Sequence, residues 1–121
     1  MALAGAAGTL MRFALSKQAA QMAGAGAFFP YGTYSANLLG SFLLGVVFIW
    51  GEGRTVLGVD LRLVVGTGMM GGFTTYSTFN LEALRLFSAG HGGRALLYMA
   101  LTLLTCLAGG AAGIALGRML R

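Results

Sequence analysis

Gly71-Gly72-Phe73-Thr74-Thr75-Tyr76-Ser77-Thr78-Phe79 lies in the middle of an otherwise apolar stretch that runs from Leu61 to Phe87. Two adjacent glycines followed by hydroxyl side chains predict an interruption of a membrane helix at that point. The carbonyls and hydroxyls so exposed must find partners inside protein. Hydrocarbon tolerates backbone of this kind only where it is enclosed or lines a cavity. The motif therefore points to a pathway or site for an ion or small solute.

Three further apolar segments flank the interrupted one: Ala2 to Met22, Tyr31 to Trp50 and Arg94 to Leu116. Each meets the requirement of about 20 residues per membrane crossing. The interrupted stretch is longer than one crossing needs, as a broken span would be. Arg12 and Lys17 fall within the first segment, and no basic region precedes it, so it does not read as a signal peptide. The expected fold class is an all-α membrane protein with four transmembrane helices, the third broken. The connections are short: Ala23 to Pro30, Gly51 to Asp60 and Ser88 to Gly93. All of residues 1–121 read as a single membrane domain.

Composition agrees. Of 121 residues, 57% are apolar and 9% are charged. A soluble domain carries about a quarter charged residues, so this chain cannot clothe a water-facing surface. Net charge is +5, but the basic residues are dispersed among helix ends. Nucleic acid needs a clustered patch, so it is not an expected partner; the lipid bilayer is. The single Cys106 excludes an intrachain disulfide. Gly66-Thr67-Gly68 lacks the strand, helix and acidic partner of a dinucleotide fold. No segment suits a nucleotide or an enzymatic reaction.

Small residues are unusually dense, with 21 glycines. Gly40 and Gly45 mark the second span, and Gly109, Gly110, Gly113 and Gly117 the fourth; small faces of this kind associate membrane helices. Four helices make a thin bundle, which suggests that a second copy completes any enclosed passage. Under a four-span topology Arg54, Arg62, Arg118 and Arg121 fall on one side, and Lys17, Arg85 and Arg94 on the other. So small a bias fixes no orientation under the Lys/Arg rule, and it permits insertion both ways.

Several polar residues fall inside the spans. Arg12 either serves a pathway or snorkels to the interface. Glu82 could pair with Arg85, accept a hydrogen bond or hold a proton. Thr33, Asn37 and Ser41 are spaced to share one stripe of the second helix. The Asn37 amide could bind an anion through N–H or crosslink helices. Tyr98, Thr102 and Cys106 repeat the spacing on the fourth helix. Thr105 lies beside them, and hydroxyl protons pointed inward would make a track for a small anion, whereas hydroxyls bonded to their own helix carbonyls would carry nothing. Tyr76 and Phe79 offer positive ring edges to a small anion. Carbonyls of Gly71 and Thr74 could coordinate a hard cation such as Na⁺.

Taken in order and spacing, three motifs carry a resemblance over essentially the whole chain. They are Gly5-x-x-Gly8-x-x-x-Arg12, Gly32-Thr33-x-x-x-Asn37-x-x-Gly40-Ser41-Phe42 and Gly71 to Phe79. The sequence resembles the CrcB/Fluc family of small bacterial fluoride channels. The resemblance implies an antiparallel, dual-topology homodimer in the bacterial inner membrane, with two fluoride pathways and a structural Na⁺ at the dimer centre. It matches Gly71 and Thr74 to the Na⁺ ligands, Asn37, Tyr76 and Phe79 to the pore lining, and Arg12 to a helix-one arginine. Thr33, Ser77, Thr78 and Glu82 match positions near the pathway, and Tyr98, Thr102 and Cys106 a polar track. Tyr76 stands where the family has phenylalanine, and Cys106 where serine is familiar. Some members pair as heterodimers of two unlike chains.

Passive, fluoride-selective export is the expected function. A Na⁺- or H⁺-coupled small-ion transporter is the alternative, since a broken helix beside Glu82 also suits coupling. A non-conducting structural bundle is the third.

Overall fold

The computed structural model describes residues 1–26 and 29–121. The connection expected from Ala23 to Pro30 includes Ala27 and Phe28, which lie outside the described residues. Helix α1 spans Ala2–Ala23 and α2 spans Tyr31–Trp50. A two-stranded hairpin follows, β1 Thr55–Val56 against β2 Val59–Asp60. Then come a wide, π-helical segment Arg62–Met70, a short α3 Gly71–Phe73, α4 Tyr76–Ser88 and α5 Gly92–Met119. The body is an all-α bundle whose third region is bent. Helices α2 and α5 are each long and apolar enough to cross a membrane.

The second connection is more ordered than the sequence suggested. Leu57 and Gly58 both have positive φ, 51° and 77°, as a two-residue hairpin turn demands. Arg62 closes the hairpin with a two-pronged contact to Asp60, Nη2 to Oδ2 at 2.8 Å. That hydrogen bond holds the Asp60 carboxyl below the usual carboxylate range. The contact's contribution is therefore present above the ordinary carboxylate pKa and fades as pH falls through the lowered one.

The interruption does not fall at the glycines. Gly71 is helical, with φ −60° and ψ −36°, and the helix continues through Phe73. The chain leaves it at Thr74 (φ −84°, ψ 160°) and Thr75 (φ −153°, ψ 118°). Gly72 serves packing instead. A Cβ there would run into the Gly5 carbonyl oxygen, and one at Gly8 into that of Met69. These two glycines let α1 lie against the bent region.

Helices α2 and α5 meet in the same way. A Cβ on Gly45 would strike the Gly110 carbonyl, and one on Gly113 that of Phe42. Contacts rise in step along both helices, so the two run parallel. At their common end Arg121 pairs with Glu52 at 2.7 Å. Burial elsewhere is sparse. Leu103, Leu104 and Leu107 on α5 are 62%, 64% and 65% exposed, an apolar face suited to lipid rather than water.

Gly113→Leu should therefore separate α2 from α5. Overpacking of a close contact costs about 1–3 kcal/mol and occasionally more. Thermal unfolding in detergent should show a clearly lowered midpoint. Leu104→Ala, on the exposed face, should leave it nearly unchanged.

Candidate functional site

The break at Thr74–Thr75 frees backbone groups that a continuous helix would have paired. Asn37, in the middle of α2, takes both groups of Thr75. Its Oδ1 accepts from the Thr75 N–H at 2.8 Å, and its Nδ2 donates to the Thr75 carbonyl at 3.0 Å. The amide thus does what a neighbouring strand would do for an extended residue. Thr75 then starts α4: its Oγ1 accepts from the Thr78 N–H at 3.2 Å, a regular N-cap, and donates to Thr78 Oγ1 at 3.0 Å.

Along α4 the next turns present Phe79 and Glu82. Phe79 packs between Tyr76 and Tyr98, with ring centroids at 5.8 and 5.1 Å. Glu82 accepts two hydroxyl protons, from Thr33 on Oε1 and from Tyr98 on Oε2, each at 2.9 Å. Of the roles open to this acid, hydrogen-bond acceptance is the one observed. Tyr98 is fully buried, and it joins α5 to α4.

Two cavities border this core. The first, about 390 Å³, is lined by Asn37, Ser41, Thr75, Tyr76, Phe79, Thr102 and Cys106, among others. Among the described residues no carboxylate or basic side chain lines it. The second, about 410 Å³, gathers Ser16, Thr33, Thr78 and Glu82. Of the residues expected near a pathway, six meet in the first cavity and three in the second, and Tyr98 is buried beside Phe79. Arg12 on α1 and the exposed Ser77 line neither.

The hydroxyls divide by what they bond. Ser41 donates to the Asn37 carbonyl at 2.7 Å and Thr105 to that of Leu101 at 2.6 Å, so both protons are committed to their own helices. Thr102 Oγ1 is buried without a hydrogen-bond partner among the described residues. The α5 stripe therefore has one uncommitted hydroxyl in the first cavity.

The structural Na⁺ is withdrawn. Among the described residues no group of three or more His, Cys, Asp or Glu side chains stands where it could hold a metal ion. The physical premise also changes. Gly71 lies inside a helix rather than at a break, the Thr74 hydroxyl donates to the Met70 carbonyl at 2.9 Å, and Asn37 satisfies Thr75.

Sequence reasoning missed Thr75 and Gly40. Thr75 stands immediately before the run Tyr76 to Phe87, where an N-cap threonine is a helix-start signal that could have revealed the cap. Gly40 lines the first cavity, and a Cβ there would strike Thr74 Cγ2. Only the fold could show that contact.

A family model described as "CrcB-like protein, Camphor Resistance (CrcB)" matches residues 1–114. The chain belongs to this family. A protein of Sorangium cellulosum named fluoride-specific ion channel FluC is 46% identical over 118 residues, 98% of this chain and 91% of its own length. Proteins of the same name from Magnetococcus marinus and Agrobacterium fabrum are 41% and 38% identical. Each of those alignments covers 99% of this chain, and 96% and 94% of the relative respectively.

Asn37→Asp should loosen the break. The carboxylate keeps an acceptor for the Thr75 N–H but has no donor for its carbonyl. A buried acceptor left unpaired costs about 1–3 kcal/mol. A lowered unfolding midpoint in detergent is expected, and a midpoint equal to that of the wild type would remove the clasp from the stability of the fold.

Proposed function

We propose that this protein is a fluoride-selective channel that lets F⁻ leave the cell passively, down its electrochemical gradient. Family membership and three relatives that share the name fluoride-specific ion channel, each at 38% identity or more over nearly the whole chain, support the reading. The observation that carries it is the first cavity. An amide, two aromatic rings, an unpartnered hydroxyl and a thiol converge there without a carboxylate. Fluoride holds its water tightly, so a selective passage must replace that hydration with short donors and positive ring edges. Glu82, the one acid of the bundle core, has both oxygens engaged by hydroxyls. It does not line the first cavity.

The physiology follows from acid–base chemistry. Neutral HF crosses membranes and dissociates at cytoplasmic pH, trapping the anion. A negative-inside potential then drives F⁻ outward through a selective pore with no energy source. No catalytic step is involved. Coupling to Na⁺ or H⁺ has no support from the family or its relatives.

The assembly belongs to the same proposal. Four membrane crossings, with the bent region as the third, give a thin bundle that a second copy would complete. The near-equal division of Lys and Arg between the ends suits insertion in both orientations in a bacterial inner membrane, and so an antiparallel homodimer. Pairing with an unlike homologous chain is the variant of that arrangement. The pathway residues would be Asn37, Tyr76, Phe79, Thr102 and Cys106 in the first cavity. Thr33, Thr78, Glu82 and Tyr98 would flank it and Ser41 would shape its wall, with Arg12 and Ser77 as outlying members of the set.

Fluoride-electrode recordings of proteoliposome efflux test the function. Efflux should follow the electrical gradient, need no Na⁺ or H⁺ partner, and greatly exceed Cl⁻ efflux from the same vesicles. Stoichiometric exchange with protons, or comparable chloride flux, would overturn it. Phe79→Ile keeps apolar bulk but removes the ring edge, so it should abolish or strongly reduce flux. Tyr76→Phe keeps the ring and should still conduct. Full flux in Phe79→Ile would reduce that ring to packing.

A further inference from the structure

Leu57, at the tip of the hairpin that follows α2, is 100% exposed. Among the described residues it alone has positive φ without being glycine, a conformation uncommon for a residue with a side chain. Val56 and Val59 stand opposite each other across the two strands, and Thr55 and Asp60 form the next pair. Side chains alternate between the faces of a strand, so the two valines make one face apolar, at 42% and 39% exposure. A two-stranded hairpin with nothing against such a face is marginal in water.

The end of α2 supplies the surface that this face lacks. Helix α2 has 20 residues, about 30 Å at 1.5 Å per residue, which matches the hydrocarbon core of a bilayer. Its last residue, Trp50, thus stands at headgroup level, where aromatic side chains gather. The Arg54 guanidinium lies over that ring, 3.9 Å from its centroid. The Arg54 backbone is held as well: its N–H donates to the Gly51 carbonyl at 3.1 Å, and its carbonyl accepts from the Leu61 N–H at 2.9 Å. Stacking occupies a face of the guanidinium and leaves its in-plane N–H donors open. The acids at this end are engaged by other arginines, Glu52 by Arg121 and Asp60 by Arg62. Arg54 has no ion pair among the described residues.

We propose that the hairpin is a lipid-docking element: Arg54 binds the phosphate of an anionic phospholipid, while Leu57 and the Val56–Val59 face enter the acyl boundary of the same leaflet. A fixed and unpaired cation at headgroup level is complementary to an anionic lipid. A second copy of this end would instead set arginine against arginine. The inference rests on the membrane setting of α2 and not on which ion the protein passes.

Trp50 is the only tryptophan of the chain, so its fluorescence reports this end alone. The test places the wild-type protein in mixed vesicles of phosphatidylcholine and phosphatidylglycerol, with one lipid or the other carrying brominated acyl chains. Quenching of Trp50 then gives the relative occupancy of the two lipids beside it. A preference of about fivefold for phosphatidylglycerol is expected, the effect of one basic side chain near an anionic surface, and Arg54→Gln should bring it close to unity. Equal quenching by both lipids in the wild type, which needs no variant to fold, would overturn the headgroup site. So would an unchanged preference in Arg54→Gln. For the tip, Leu57→Cys combined with Cys106→Ser takes a nitroxide spin label, which should collide with oxygen more often than with a water-soluble nickel chelate. A label reached mainly by the chelate would overturn insertion. A label reached by neither would make the hairpin a contact between protein copies and overturn lipid docking as well.

Discussion

The pair of hydrogen bonds between the Asn37 side chain and the Thr75 backbone is the constraint on which the rest of the bundle depends. A helix broken inside a membrane protein exposes an N–H and a carbonyl that lipid cannot satisfy. One amide satisfies both, and only one orientation of that amide does so, because the N–H needs its oxygen and the carbonyl needs its nitrogen. The clasp fixes where α4 begins. Thr75 can then cap α4 through Thr78, and the helix phase set there determines which side chains face α2 and α5. Glu82 arrives opposite Thr33, one turn before Asn37 on α2, and takes the Tyr98 hydroxyl of α5 as its second donor. The stripe Thr33, Asn37, Ser41 is thus a rail against which the broken region is registered.

A rail works only if it is rigid, and the glycines supply that rigidity. Gly45, Gly113 and Gly117 bring the α2 and α5 backbones so close that added methyl groups would meet carbonyl oxygens. Lipid tails are as apolar as leucine, so close backbone packing replaces the hydrophobic drive that joins helices in water. The bent region is held from its other side by α1 through Gly8 and Gly72. The break therefore lies between two tightly seated neighbours.

This arrangement explains what the sequence could reveal. The apolar runs and their lengths gave α1, α2 and α5 within a few residues, because lipid imposes a simple rule on length. The Gly71 to Phe79 motif located the break to within three residues but misassigned its cause. Adjacent glycines read alone signal a helix breaker, whereas here helix-to-helix contact requires them and the chain turns at two threonines. The hairpin at Leu57–Gly58 was missed because its residues are not the usual Asn-Gly pair. The Na⁺ expectation failed for a related reason, since it relied on carbonyls freed at Gly71. The i, i+4 stripes were legible; their partners across the bundle were not, because periodicity shows which face a residue shares and not what lies opposite.

Asn37 had two readings in the sequence, crosslinking helices or binding an anion, and the geometry makes them compatible. The side-chain amide has two donor hydrogens, and the clasp uses one of them on the Thr75 carbonyl. Asn37 also lines the first cavity. The same logic separates the hydroxyls. Ser41 and Thr105 have given their protons to their own helices, and of the two only Ser41 lines the first cavity. Among the described residues Thr102 Oγ1 has no hydrogen-bond partner. A passage for a small, strongly hydrated anion needs donors that are fixed in place yet uncommitted. The residue that mends the broken helix is fixed by that very task, and it lines the same cavity as Thr102.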